Sequence, residues 1–82
     1  MPYIQQENRP TMNKVVEAMV EAGVKADGDL NYILYKFCKE NVMPGYGNYK
    51  NFCGELNECV EEIRRRMTGP YEDVKIDEHG DI

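Results

Sequence analysis

Apolar residues recur at helical spacing in three stretches of the chain. A repeat of i, i+3, i+4 and i+7 places apolar side chains on one face of an α-helix and leaves the charged ones elsewhere. This repeat predicts helices over residues 10–22, 29–40 and 48–67. The predicted apolar faces are Met12, Val15, Val16, Met19 and Val20; Leu30, Ile33, Leu34, Phe37 and Cys38; and Tyr49, Phe52, Cys53, Leu56, Cys59, Val60, Ile63 and Met67.

Turn and cap residues mark the ends of the first two helices. Pro10 suits a first helical turn, where its missing N–H is not needed. Gly23 is expected to end the first helix in a left-handed conformation, with Val24 folding back onto the last turn. Either Asp27 or Asp29 can accept the free N–H groups at the start of the second helix, where negative charge is also favoured.

The third predicted helix is the longest, and Leu56 and Ile63 define the face that we expect to be buried. Asn48 is the expected cap at its start. The run from Thr68 to Pro70 is expected to stop it, because glycine and proline interrupt helices. At the other end of the chain, residues 1–9 are expected to form an irregular or extended arm.

The tail after the third helix allows two interpretations. Pro70 and the acidic residues after it resemble a first helical turn, and Gly80 resembles a stop, which favours a short helix over residues 70–79. Val74 and Ile76 alternate with polar residues, which would suit a short extended segment instead.

Together these elements predict a single all-α domain over residues 1–82. Three main amphipathic helices joined by short loops would pack as an antiparallel, bundle-like array, completed by a short C-terminal helix or extended tail. A chain of 82 residues buries only about 60–65% of its unfolded surface, so its own core is marginal. Packing against a second copy would be one remedy.

Charge and hydropathy exclude several classes of partner. The net charge is −5, from 15 acidic and 10 basic residues, which argues against general affinity for nucleic acid or for an anionic membrane surface. No run of about 18 apolar residues is present, so no membrane span is expected. The first ten residues lack the pattern of a secretory signal. Three cysteines cannot all pair within one chain, and the prediction is a reduced, cytoplasmic protein.

The cysteines and the single histidine show no catalytic or metal-binding spacing. Cys38, Cys53 and Cys59 fall at apolar helix positions without a zinc-binding motif, so we expect buried, reduced thiols. His79 has no nucleophile or ligand partner beside it in sequence and is expected to be an exposed turn residue. The chain also lacks a phosphate-binding glycine loop and a dinucleotide fingerprint. We therefore predict no cofactor and no catalytic residue.

One carboxylate pattern supports an alternative. Glu55 and Glu58, followed by Glu78 and Asp81, give E-x-x-E…E-x-x-D, which resembles the MazG-type all-α nucleotide pyrophosphohydrolases, whose carboxylates hold Mg²⁺. The resemblance implies a Mg²⁺ site, and two chains could form it by bringing Glu55 or Glu58 of one near Glu78 and Asp81 of the other. Against it, Gly80 interrupts the second pair, and the first pair points away from the apolar face of the third helix.

The charged residues of the third helix also have a structural interpretation. Glu61 with Arg65 and Glu62 with Arg66 are i, i+4 pairs in the favourable order, each contributing about 0.2–0.5 kcal/mol. Three consecutive arginines from Arg64 fan around the helix, so they cannot all meet one nucleic-acid surface. Ion pairing with the acidic tail is the expected use of the remaining positive charge.

Five tyrosines lie on or beside the predicted apolar faces. Such side chains pack an aromatic ring and keep a polar tip in water, which suits both the edge of a core and a protein interface. The interface candidates are Tyr32, Tyr35, Tyr46, Tyr49 and Tyr71.

Several segments resemble a family of small uncharacterised proteins found in bacteria and their phages. They are MPYIQQENRP, EAGVKADGDLNY, GDLNYILYKFCKEN and YKNFCGELNECVEEIRRRMTGPYEDVKIDEHGD, and they span nearly the whole chain. The pieces GDLNY and PYED-x-KI-x-E-x-GD are the most specific, and His79 stands where an asparagine is expected. The resemblance implies a compact helical domain and transfers no catalytic residue.

The sequence thus favours a non-enzymatic protein-interaction module that is homodimeric. A Mg²⁺-dependent nucleotide pyrophosphohydrolase is the alternative. A third hypothesis is a phage regulator that binds an unidentified host protein.

Overall fold

A computed structural model describes residues 4–82, and these residues form an all-α chain with no strand among them. A short 3-10 turn over Gln6–Asn8 leads directly into the first helix. The helices are α1 (Arg9–Glu21), α2 (Gly28–Asn41), α3 (Tyr46–Ile63) and α4 (Gly69–His79), with a π-helical turn over Arg64–Thr68 between the last two. The predicted all-α class is confirmed.

The bounds of α1 and α2 differ from the predicted ranges by one residue at each end. The tail is helical, so the short extended alternative is wrong, and Gly80 ends α4 with a φ of 85°. The expected irregular or extended arm contains a short 3-10 turn over Gln6–Asn8, and Arg9 already belongs to α1. The first three residues of that arm lie outside the described residues.

Backbone hydrogen bonds at the end of α1 show why Gly23 is needed there. Gly23 has a φ of 72°, a left-handed conformation that glycine adopts without a Cβ clash. Its N–H donates to the carbonyl of Val20 at 3.0 Å, and the N–H of Val24 donates to the carbonyl of Met19 at 3.1 Å. This pair of bonds is the Schellman motif, which satisfies carbonyls that the helix end leaves open.

Two aspartates fix the start of α2. The Asp27 carboxylate accepts the backbone N–H of Asp29 at 3.0 Å, and the Asp29 carboxylate accepts the backbone N–H of Lys25 at 3.2 Å. The sequence allowed either aspartate as the cap of α2. In the structure both carboxylates accept a backbone N–H at this end of the helix. Each carboxylate satisfies a donor that no helical carbonyl reaches.

The start of α3 corrects a predicted cap. The helix begins at Tyr46, two residues before the predicted start. Asn48 therefore lies inside the first turn, and its side-chain amide donates to the carbonyl of Met43 at 3.0 Å. The N–H of Tyr49 donates to the carbonyl of Gly45 at 3.0 Å. The backbone around Gly45 thus starts the helix, and Asn48 secures the preceding loop.

The predicted stop after α3 is wrong, because the chain stays helical through it. Gly69 keeps right-handed helical angles (φ −60°, ψ −56°), and its N–H donates to the carbonyl of Arg64, the i→i−5 bond of a π-helix. A proline inside a regular α-helix lacks an N–H donor, and its ring clashes with the carbonyl four residues earlier. The wider turn carries the chain into Pro70 without ending the helix.

Matched alanine substitutions at two glycines should change stability in opposite directions. Gly23→Ala is expected to lower the free energy of unfolding by about 1–2 kcal/mol, because alanine is strained at positive φ. Gly54 lies inside α3, where a methyl group in place of its hydrogen would meet open space, so Gly54→Ala should raise that free energy by up to about 1 kcal/mol. Urea denaturation of both variants measures the difference, and changes of the same sign would contradict the assignment of Gly23.

The chain divides into two compact units, residues 4–52 and residues 53–82. The N-terminal unit (4–52) contains α1, α2 and the first turns of α3. The C-terminal unit (53–82) contains the rest of α3, the π turn and α4.

Neither unit contains a fully buried side chain among the described residues. In the N-terminal unit the half-buried positions are Met19, Val24, Leu30, Ile33, Leu34, Cys38, Val42 and Phe52. In the C-terminal unit they are Gly54, Leu56, Glu62 and Gly69. The expected burial of Ile63 is wrong for the single chain, where 45% of this residue is exposed.

Candidate interaction surface

The C-terminal unit carries one long row of apolar side chains, here called the apolar stripe. It consists of Leu56, Cys59, Ile63, Met67, Tyr71 and Val74. Consecutive members are three, four, four, four and three residues apart. A regular two-helix seam repeats every three and four residues in alternation, so one step of the stripe is a residue too long.

The π turn accounts for the long step. It covers Arg64–Thr68 and so includes the step from Ile63 to Met67. Its i→i−5 bonding takes in one more residue than the i→i−4 bonding of an α-helix. When that additional residue is not counted, the members of the stripe alternate three and four residues apart on both sides of the π turn. The stripe therefore continues from α3 onto α4. Sequence reasoning named Tyr71 as an interface candidate, but it missed Val74 and the continuity of the row because it placed a stop before both residues.

A carboxylate beside the stripe is neutralised by its own helix. Oε1 of Glu62 lies 2.9 Å from Nη2 of Arg65 and 3.4 Å from Nη1 of Arg66, and only 16% of the Glu62 side chain is exposed. The predicted Glu62–Arg66 pair is confirmed. Arg65 was predicted to pair with Glu61, and in the described residues it pairs with Glu62 at the i, i+3 spacing.

The acidic tail forms ion pairs within α4. Nζ of Lys75 lies 3.1 Å from Oε2 of Glu78, and Nε2 of His79 lies 3.9 Å from the same oxygen. The arginine pairs found in residues 4–82 are with Glu62, and the expected pairing of the arginine run with the tail is not among them. The Lys75–Glu78 pair uses the i, i+3 spacing of one helix.

An apolar groove lies in the N-terminal unit between the end of α1 and the start of α2. Its volume is about 330 Å³, and Val16, Val20, Val24 and Leu30 contribute to its walls. Lys25 is the charged residue at its edge. The Schellman turn folds Val24 toward α1 and so shapes this groove.

An aromatic contact joins α2 to the first turns of α3 within the N-terminal unit. The rings of Phe37 and Phe52 are stacked, with centroids 6.2 Å apart and planes inclined by 21°. Such a pair contributes beyond the area it buries. Both residues were predicted on apolar faces, and the structure brings them together.

All five tyrosine candidates are exposed. Their exposed fractions range from 43% for Tyr49 to 83% for Tyr46. Nζ of Lys36 lies 5.6 Å from the centre of the Tyr32 ring, and Nζ of Lys75 lies 5.5 Å from that of Tyr71, within reach of a cation–π interaction. The tyrosines are thus available to a partner, and two of them are held by lysines of their own helices.

The charge on Lys36 is reinforced by its neighbours. A hydrogen bond with Tyr32, followed by the charge of Tyr32 and then that of Glu40, raises the pKa of the Lys36 ammonium above its ordinary value. Nζ of Lys36 lies 3.9 Å from the Glu40 carboxylate. This exposed face of α2 therefore remains cationic at Lys36 throughout the physiological range.

The four carboxylates of the alternative metal site are spread over α3, α4 and the residues after α4. Glu55 and Glu58 lie on α3, and Glu78 lies on α4 in its pair with Lys75. Asp81 follows the end of α4, and its carboxylate accepts the N–H of Ile82 at 2.7 Å. Within one chain, residues 4–82 contain no group of three or more His, Cys, Asp or Glu side chains placed to hold a metal ion.

The three cysteines are free, and their burial differs from the prediction. Cys38 is half-buried, whereas Cys53 and Cys59 are exposed. They lie at apolar helix positions as predicted, but the two cysteines of α3 are exposed in the single chain. Among the described residues no helix combines the length and apolar character needed to cross a membrane.

Comparisons with known proteins concern the whole length of the chain. No match was found among curated proteins, and none among solved structures. A family model described as a domain of unknown function (DUF6899) matches residues 1–82. The expected relation to an uncharacterised family is confirmed at that level, and the chain belongs to the DUF6899 family of domains of unknown function.

Proposed function

We propose that this chain is a non-enzymatic protein-interaction module that works as a homodimer. One observation carries the proposal. Among residues 4–82 no side chain is fully buried, while 18 large hydrophobic residues are exposed. A helical chain gains most of its stability from packing an apolar face, and among the described residues these faces are covered only in part.

The size of the chain supports the same proposal. A chain of 82 residues buries only about 60–65% of its unfolded surface, so its own core is marginal. Closed two-fold dimers are the commonest homo-oligomers.

The domain organisation, the localisation and the origin of the chain are part of the same proposal. The three amphipathic helices complete a bundle-like core across two chains, which makes residues 1–82 one domain in the assembled state. The match of the family model over residues 1–82 supports a single unit of evolution. An odd number of cysteines suits a reducing cytoplasm, and the sequence resemblance supports a bacterial or phage origin.

Light scattering coupled to size-exclusion chromatography tests the dimer. We expect twice the chain mass of 9.5 kDa across micromolar concentrations. A species of the single-chain mass at every concentration would overturn the homodimer. The non-enzymatic part is tested separately with a nucleoside triphosphate panel and Mg²⁺. Hydrolysis that is lost in Glu55→Gln would overturn it and establish the carboxylate alternative.

A further inference from the structure

We infer that the second copy docks on the apolar stripe of the C-terminal unit. The later part of α3, the π turn and α4 of one chain would then pack against the same segment of its partner. This inference rests on the proposed homodimer and adds which surface forms it.

The length of the apolar surface favours the stripe over the N-terminal groove. Met19, Val24 and Leu30 of the groove are half-buried, while Val16 and Val20 are 56% and 73% exposed. On the stripe Leu56 is half-buried, and the five other members are exposed along α3, the π turn and α4. The stripe therefore offers a partner helix a longer row of exposed side chains than the groove does.

The spacing of the stripe identifies a helical partner with the same repeat. Side chains that alternate three and four residues apart fit between the side chains of an equally spaced helix. A second copy supplies that repeat, with its own π turn taking up the same extra residue. A two-fold contact also uses the same patch on both copies, which a single continuous stripe allows.

Charge beside the stripe is arranged so that two copies can approach. Glu62 adjoins Ile63, and its pairing with Arg65 and Arg66 removes a like-charge repulsion at this position. The C-terminal unit as a whole carries nine acidic and four basic residues, a net charge of −5. Two such units repel at long range, and added salt screens this repulsion. The dimer should therefore tighten between about 0.05 M and about 0.5 M NaCl.

A matched pair of substitutions on α4 tests the surface. Val74 lies on the stripe and Ile76 lies two residues away on another side of the helix, and the two are similarly exposed at 53% and 45%. Val74→Asp is expected to raise the dimer dissociation constant about 100-fold, because it places a carboxylate in the contact. Ile76→Asp is expected to change it by less than about threefold. Analytical ultracentrifugation measures both, with circular dichroism to compare helix content.

The outcomes separate this inference from the proposed function. A wild-type protein that sediments as a monomer contradicts the homodimer itself. A wild-type dimer that Val74→Asp leaves intact, but that Val20→Asp in the groove dissociates, overturns the stripe and keeps the homodimer.

The native protein offers a second test should Val74→Asp fail to fold. Cys59 lies on the stripe, and Cys53 lies beside it on α3. Maleimide labelling followed by peptide mass spectrometry should show Cys59 protected at high concentration and reactive on dilution, with Cys53 less affected. Equal labelling of the two thiols well above the dissociation constant would overturn the inference.

Discussion

Replacing Leu56 with alanine is expected to lower the free energy of unfolding by about 2–5 kcal/mol per chain. Leu56 is half-buried in the single chain and lies at the start of the apolar stripe. In the proposed dimer its side chain is covered completely, so the substitution leaves a cavity as well as losing buried apolar surface. Denaturation by urea at a fixed protein concentration measures the loss.

Glu61→Ala is the matched control for Leu56→Ala. Glu61 is an exposed residue of the same helix and lies two residues before Ile63, away from the stripe. Its replacement should change the free energy of unfolding by no more than about 0.5 kcal/mol, as is usual for a surface position. Equal losses in the two variants would show that the face of α3 has been assigned wrongly. A loss below about 1 kcal/mol for Leu56→Ala would show that this side chain stays half-exposed in solution.

The helix ends were predictable where a single residue type decides the local backbone. Gly23 and Asp27 act within a few residues of their own positions, through a left-handed φ and a short carboxylate hydrogen bond. Such signals depend on neighbours in sequence and not on distant packing. The end of α1 and the start of α2 therefore agree with the prediction to within one residue.

The link between α3 and α4 was not predictable by the same reasoning. Glycine and proline at positions 69 and 70 are stop signals for a regular α-helix, and the prediction assumed regular geometry. The structure widens the turn over Arg64–Thr68 and places Pro70 in the first turn of α4. A repeat count across positions 63, 67, 71 and 74 was the available signal, because it continues past the apparent stop.

The candidate surface was predictable in its residues but not in its exposure. Periodicity placed Leu56, Cys59 and Ile63 on one face, and the structure keeps them there. Periodicity cannot say what covers that face, since a core within the chain and a seam between chains use the same repeat. The tyrosine candidates share this ambiguity, and the structure shows that all five are exposed.

Helix content and thermal stability should both fall when the protein is diluted. Burial between chains would then supply most of the stability, so unfolding would be coupled to dissociation and the midpoint temperature would depend on concentration. Isolated helices of the lengths seen here are marginal in water, and α2 and α4 have 14 and 11 residues. A single chain with no fully buried side chain among residues 4–82 has little else to hold them.

Circular dichroism melts over a hundredfold range of concentration measure the effect. We expect the midpoint to fall by about 3–5 °C for each tenfold dilution. Samples that are diluted and then reconcentrated should recover the first melting curve, which controls for irreversible loss. The Val74→Asp variant should have a low midpoint temperature that changes little on dilution, because this variant is already dissociated. The midpoint temperature of Ile76→Asp should fall on dilution as that of the wild type does. A midpoint that stays constant across the range, with full helix content, would mean that the single chain is stable and that its exposed stripe serves some other partner.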